Sequence, residues 1–439
     1  MLTSKRRRIG GKAVLLLASL VLGMAGTVWA QDLADESKRG IDRGSGWLVA
    51  HQNPDGGYGP YGEKGVFIPN TSDVGITAFC LYALARNPRG YKAVDGPFIS
   101  KAVDFLLARQ QSDGAFYDKK DPTLQNYKTC VVLLALVTFD PAKYSGAIAK
   151  AQNFIKAQQA TEALGYDPEK HVTFGGQGYG EALTPDLSNS QFSAEALYGS
   201  GLSGSDEYWK RLAVFISRCQ NSKTVDPLLK EVGIGTTGDG GFRYAPNATR
   251  GPVETLDTGV RVFSSYGSMT YAGLKSLLHA RVNKDDERVQ QAFAWISRNF
   301  TVRENPGMAT KANPRAGMEG LFYYYHTMAK ALSIYGEPTI KDAKGVEHDW
   351  AKELARQLLS LQNENGSWAN ASDRWFESIP ALGTAYAMVA LCECLDFMKA
   401  TKAKPAAPPA VPASGSAVAP VGAPAPAPAA VPAEAPKSM

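Results

Sequence analysis

The sequence predicts an all-α ring, six helix pairs closed into an (α/α)6 barrel with one helix of each pair outside and one inside. Two observations lead there. The first is a short pattern that recurs far apart in the chain: Gln52, Gly56, Tyr58; then Gln110, Gly114, Phe116; then Gln362, Gly366, Trp368, always glutamine, three residues, glycine, one residue, aromatic. The second is that each copy precedes a segment that is nearly apolar, whereas the stretch leading into the copy mixes Lys, Arg and Asp with an apolar stripe. Enclosed helices look like the first kind and surface helices like the second.

In chain order, "WLVAHQNPDGGY" leads to "DVGITAFCLYAL" from Asp73, and "FLLARQQSDGAF" leads to "NYKTCVVLLAL" from Asn126. The third copy, "FIKAQQATEALGY", is looser, setting Gln159 before Gly165 and Tyr166 and leading to "NSQFSAEALYG" from Asn189. The fourth, "FISRCQ", has Gln220 but reaches its glycines only at "TGDGGF", residues 237–242, ahead of "SSYGSMTYAGLKSLL" from Ser264. The fifth, "WISRNFTVRENPGM", carries Phe300 where glutamine is expected and precedes "GLFYYYHTMAKAL" from Gly320; the sixth, "LQNENGSWAN", precedes "IPALGTAYAMVAL" from Ile379. Repetition at this spacing outranks local motifs in assigning a fold. Asp55-Gly56, Asp113-Gly114 and Asn365-Gly366 tolerate the positive φ of a sharp helix stop, the glutamine bonds groups the turn leaves unpaired, and the aromatic wedges between neighbouring pairs. A feature that recurs around a ring is a joint, so these residues read as structural.

The two ends lie outside the repeats. Residues 1–30 carry Lys5 to Arg8, an apolar run from Ala13 to Met24 and the small-residue stretch Val28-Trp29-Ala30, the pattern of an export leader cut near Gln31. The run is shorter than the roughly 18 residues needed to span a bilayer. The protein is thus expected to be exported, periplasmic or extracellular, and not membrane-spanning. Without the leader's five basic residues the chain holds 42 basic and 42 acidic residues, which leaves no basic stripe for nucleic acid. Cys80, Cys130, Cys219, Cys392 and Cys394 form neither a disulfide framework nor a zinc pattern, so no metal and no cofactor is expected. Residues 401–439 are almost wholly Ala, Pro, Val, Gly and Ser and read as a disordered tail, either a plain linker remnant or a spacer from, or contact to, an envelope layer or partner. The ring domain is therefore 31–400.

Aromatic-aliphatic-x3-Gln-x3-Gly-x-aromatic resembles the QW repeat of squalene and oxidosqualene cyclases and of protein prenyltransferase β subunits, whose fold is an α/α toroid. The "GLFYYYHTMAKAL" and "NGSWANASDRWFE" stretches look like exported bacterial proteins with prenyltransferase or squalene oxidase repeats. The resemblance covers most of residues 39–398, but its catalytic parts are missing. Neither the Asp-x-Asp-Asp acid motif of the cyclases nor the Asp, Cys and His zinc set of the prenyltransferases occurs, and no cysteine has the Gly-Cys-Gly-Glu-Gln neighbourhood of thioester toroids. Cys394 and Asp396 stand in reversed order, and Asn283-Lys284-Asp285-Asp286 reads as a helix start.

A site in such a ring is expected where the inner helices begin, beside the loops. The fifth inner segment offers Tyr323, Tyr325 and His326. His326 is either a general acid or base in an aromatic cleft or a buried histidine satisfied by a neighbour. Asp373, Arg374, Trp375 and Glu377 precede the sixth inner segment and either form an acid/base and stacking cluster or cap and pair locally. Candidate catalytic residues are thus His326, Asp373 and Glu377, and candidate ligand contacts are Asp73, Tyr323, Tyr325, Arg374 and Trp375. Asp186, Asn189 and Asp257 are further rim residues or caps, and the inner hydroxyls Thr77, Thr129, Ser193, Thr270 and Thr384 are expected to bond carbonyls one turn back. His171 lies in a glycine-rich loop or lid. The expected function is a toroid that takes an apolar, isoprenoid or peptide ligand, or a partner protein, in its central cavity. The alternative is an enzyme, of cyclase or prenyltransferase type by resemblance or carbohydrate-active by analogy, built on the histidine and carboxylates at the rim.

Overall fold

Helices of two kinds alternate along the chain in the computed structural model, which describes residues 33–59, 71–180 and 184–403. The leader, its cut and residues 404–439 of the tail lie outside the described residues. The outer layer is α1 (33–50), α3 (Pro97–Leu107), α5 (Ser145–Ala157), α7 (Glu207–Cys219), α10 (Glu287–Asn299) and α12 (Trp350–Ser360). The inner layer is α2 (Val74–Arg86), α4 (Gln125–Phe139), α6 (Leu187–Gly199), α9 (Gly267–His279), α11 (Leu321–Tyr335) and α13 (Pro380–Ala403), whose last residues enter the stretch read as tail. The inner helices are buried along most of their length, whereas an outer helix such as α12 buries one stripe, Trp350, Ala351, Leu354, Ala355 and Leu358. α13 is long and apolar enough to cross a membrane, yet it is an inner helix packed within the protein.

Successive inner helices pack side by side from α2 through α11. Lys330 on α11 pairs with Glu393 on α13 at 3.2 Å, and Cys80 on α2 donates to the Ala381 carbonyl at 3.6 Å, so α13 joins α11 to α2 and closes the ring.

The joints explain why the pairs stack. Gln52, Gln110, Gln159, Gln220 and Gln362 each donate through Nε2 to two carbonyls: that of the turn glycine, and one in or beside the first turns of the next outer helix. For Gln362 these are Gly366 and Gly40 of α1, at 2.8 and 2.9 Å, which ties the sixth pair to the first. Gly366 has φ +92°, and a Cβ on it would lie 2.7 Å from the Arg43 carbonyl, so only glycine allows the helix to approach. An inner hydroxyl then accepts from the next backbone N–H, as Thr384 does from Trp368 at 2.9 Å.

Three details differ from the sequence reading. The third joint is closed by Gly175, not Gly165, because residues 160–174 form an inserted loop. Among the inner hydroxyls, Thr129, Ser193 and Thr270 donate to the carbonyl one turn back as expected, but Thr384 reaches the Trp368 carbonyl at 3.4 Å. At the joint without glutamine, Tyr324 and Tyr325 donate to the Thr301 and Val302 carbonyls at 2.8 and 2.7 Å. The fold also contains two short antiparallel hairpins, Val253–Thr255 with Arg261–Phe263 and Ile340–Lys341 with Glu347–His348. The first belongs to an insertion between α7 and α9 that also holds the short helix α8 (Pro227–Glu231) and has its own small core of Leu229, Ile234 and Phe263.

Candidate functional site

All six inner helices begin at the same end of the ring, and their first turns surround a cavity of ≈ 290 Å³. Its wall includes Asp73 and Ile76 before and on α2, Tyr127 and Lys128 on α4, Ser188 on α6, Met269 on α9, Tyr323 on α11 and Leu382 and Tyr386 on α13. Loops supply Tyr179, Tyr244, Arg250, Asn305, Trp375, Phe376 and Glu377. Two phenol pairs stand in this wall, Tyr127 with Tyr386 and Tyr179 with Tyr244, each at 2.8 Å. Tyr323 reaches Ser188 Oγ at 3.1 Å.

Helix starts leave backbone N–H groups unpaired, and this end of the ring meets them with carboxylates. Asp73 caps α2 by accepting from Ile76 N at 2.9 Å, and Asp186 caps α6 by accepting from Asn189 N at 2.8 Å. α11 starts at Gly320 in the left-handed conformation and has no cap of its own. Glu377, from the loop ahead of α13, caps it instead, accepting from Tyr323 N at 2.7 Å, Phe322 N at 3.2 Å and Asn370 Nδ2 at 2.8 Å. Burial pushes the Glu377 carboxyl up to about 6 against these donors, and burial likewise raises Asp186 to about 6. Asp73 is partnered by Lys128 at 3.4 Å, which also binds Asp121 at 2.6 Å.

Trp375 and Phe376 sit at the cavity's rim with φ of +56° and +65°. Two adjacent side-chain-bearing residues in that region are strained, and here the loop is held by Glu377, by Asn370 donating to the Met318 carbonyl, and by the Trp375 ring lying on Gly320.

The cavity floor is aromatic. Phe79 packs on Tyr386 and Phe192 at centroid distances of 4.7 and 5.7 Å, and His326 lies among Phe79, Phe192 and Tyr386 at 6.1, 6.0 and 5.4 Å. Below the floor, where the inner helices end, charges fill the axis. Lys330 pairs with Glu195 at 2.9 Å and Glu393 at 3.2 Å, Lys275 pairs with Glu195, and Arg86 reaches Glu393 at 3.0 Å. Burial acts to raise the Glu195 carboxyl, but Lys275 and Lys330 hold it well below the usual range; Glu393 is lowered in the same way by Lys330 and Arg86.

The predicted site residues therefore separate. Glu377, Asp73, Tyr323 and Trp375 line one cavity. His326 does not: it is fully buried beneath the floor, its ring nitrogens meet no hydrogen-bond partner among the described residues, and burial pushes it down to about 3, so the imidazole is neutral. Asp373 is exposed, with its carbonyl bonded to Phe376 N, and Arg374 pairs outward with Glu319 at 3.2 Å. Tyr325 faces the outer layer through Val302. His171 bonds Asp167 N within its own loop. Sequence reasoning missed Tyr127, Tyr179, Tyr244, Tyr266, Arg250 and Tyr386, which come from several different elements. It also missed the buried network, whose only trace in the sequence is a single Glu or Lys inside each of several apolar segments: Glu195, Lys275, Lys330 and Glu393.

Comparison with known proteins agrees with this architecture. Residues 21–224 match the family model of the squalene-hopene cyclase C-terminal domain. The chain is 26% identical over 163 residues to drimenyl diphosphate synthase of Streptomyces showdoensis, 37% of this chain and 27% of that protein, so the match spans about a quarter of that relative. The type II terpene cyclase MstE from Scytonema superposes over 83% of this chain and 99% of its own, with a TM-score of 0.51 and 14% identity. Its complex with the product merosterolic acid A gives 84%, 99%, 0.52 and 15%, and it has also been seen with geranylgeranyl dihydroxybenzoate as substrate. The chain folds as an α/α toroid similar to that of the type II terpene cyclases, and its first half resembles the squalene-hopene cyclase C-terminal domain. At these identities the likeness to MstE is one of fold, and activity has to be argued from the cavity.

Proposed function

We propose that this protein is an exported binding toroid that takes an apolar ligand of the isoprenoid class into the cavity at the start of its inner helices. The observation that carries the reading is the cavity wall: Ile76, Phe79, Leu124, Met269, Leu382 and the rings of Trp375 and Phe376 offer an apolar concave surface with a few polar groups between them. Support for export comes from the leader pattern of residues 1–30. MstE, which shares the fold, holds a geranylgeranyl-bearing substrate.

The test is lipid extraction and mass spectrometry of the purified protein, with titration of tryptophan fluorescence by farnesol, since Trp375 lines the cavity. An isoprenoid recovered from the wild type and lost in Ile76→Trp, which fills the space while leaving the helical circular dichroism intact, is the expected result. No retained lipid and no quenching by farnesol would sink the reading.

A catalytic reading has one observation in its favour: Glu377, a buried carboxyl in the cavity wall held near 6, within reach of a protonated state at mildly acidic pH. Against it, both Glu377 oxygens are engaged in capping α11, the Asp-x-Asp-Asp acid is absent, and His326 stands apart from the rim. Product analysis after incubation with geranylgeraniol, comparing wild type with Glu377→Gln, tests it.

A further inference from the structure

The cavity has two unlike sides. Ile76, Phe79, Leu124 and Leu382 make one side hydrocarbon, while Tyr179, Tyr244, Tyr266 and Arg250 gather on the other. Each charge in the wall except one is already answered. Asp73 and Lys128 pair with each other, Lys128 also holds Asp121, and Glu377 is taken up by the α11 backbone. Arg250 meets no carboxylate among the described residues; its guanidinium lies 4.7 Å over the Tyr244 ring. Its backbone is nonetheless fixed, since Thr249 Oγ1 donates to the Ser264 carbonyl at 2.7 Å and Gly251 packs where a Cβ would lie 2.5 Å from the Gly307 carbonyl. An arginine held at a cavity rim on an aromatic face is arranged to receive an oxyanion.

The phenols beside it differ in what they already hold. Tyr179 and Tyr244 share a hydrogen bond at 2.8 Å, and Tyr244 is also bonded to Asp186 and Tyr179 to Asn189. The Tyr266 hydroxyl has no hydrogen-bond partner among the described residues although the residue is buried at the wall. Asp186 lies behind this group, with its carboxylate occupied by Asn189 N and Nδ2 at 2.8 Å each and by the Tyr244 phenol.

We propose that the ligand is an amphiphile whose anionic oxygen head, a carboxylate or a phosphate, is bound by Arg250 with the phenol of Tyr266, while its hydrocarbon body lies along Ile76, Phe79 and Leu382. This rests on the apolar-ligand reading and adds the chemistry of the head. The test titrates the purified protein with farnesol, farnesoic acid and farnesyl monophosphate by isothermal calorimetry at low salt. One or both anions bind about tenfold tighter than farnesol, the gain expected of one charge-assisted contact, and which of them leads identifies the head. The difference between anion and alcohol shrinks as salt rises, because Arg250 is exposed, and it disappears in Arg250→Gln while Arg250→Lys keeps part of it. Farnesol binding as tightly as both anions, or an anion preference that survives Arg250→Gln, overturns the head assignment and leaves the apolar cavity standing. Failure of all three to bind overturns the cavity reading itself, and this proposal with it.

Discussion

The two ends of the ring's axis solve the same problem in opposite ways. At each end two buried carboxylates stand among the inner helices, Asp186 and Glu377 where the helices begin, Glu195 and Glu393 toward where they end. The first pair is neutralised by backbone N–H groups and amides, and burial still wins, so both carboxyls sit near 6. The second pair is neutralised by Lys275, Lys330 and Arg86, and the cations win, so both carboxyls are lowered. Helix-start dipoles act as fractional charges and do not offset the desolvation that a full cation offsets. One end is thereby left with an open cavity and near-neutral walls, and the other is closed by a salt-bridge network.

The largest effect expected from breaking this contrast is at the network. Lys330→Met leaves Glu195 and Glu393 facing each other with one cation fewer, which costs about 3–5 kcal/mol in urea unfolding. A cost as small as that of a cavity-wall change such as Tyr386→Phe would show that the two ends are not different in kind. Next is a joint at the cavity end: Gln159 is buried and serves two carbonyls, so Gln159→Leu costs ~2–3 kcal/mol.

The ends also respond oppositely to pH. A carboxyl raised from its ordinary value of 4.5 to about 6, as in Glu377, contributes stability that is full below its unfolded pKa and lost as pH rises through 6, about 2 kcal/mol over that window. Urea unfolding at pH 5 and pH 7 should show this loss in the wild type, and Glu377→Gln should cut it down to the part that Asp186, also raised to about 6, contributes. Glu195 and Glu393 act the other way, and their contribution is lost as pH falls below the usual carboxylate range. The smallest expected effect is at the floor between the ends. His326→Phe, which removes two unpartnered ring nitrogens among aromatic neighbours, leaves stability at pH 7 within about 1 kcal/mol of the wild type. It removes the destabilisation that His326 brings as pH falls from 6.5 toward 3, because the unfolded imidazole takes up a proton that the folded one refuses. Loss of ligand binding in this variant, with stability intact, would return His326 to the site.

The repeat was legible because each joint needs the same local chemistry: a glycine where the outer helix backbone comes within van der Waals distance, a glutamine for two carbonyls, and an apolar inner segment. Where the joint was built differently the sequence misled. Gly165 had the right residue type, but the chain loops out and returns to Gly175, and the Phe300 joint takes its hydrogen bonds from Tyr324 and Tyr325. The site was half legible. Glu377 and Trp375 were in view as a cluster, but adjacency in sequence also drew in Asp373 and Arg374, which the turn at Trp375 and Phe376 faces outward.

By itself the sequence determined the number of helix pairs, which member of each pair is enclosed, and that the enclosed helices start together, since these follow from periodicity and from turn chemistry confined to a few neighbouring residues. Only the tertiary structure decided what the ring encloses. Tyr127 and Tyr386 are 259 residues apart, and Glu195 and Lys275 are 80 apart. Whether such residues meet as a cavity wall, a floor or a salt bridge depends on ring closure, which no local pattern records.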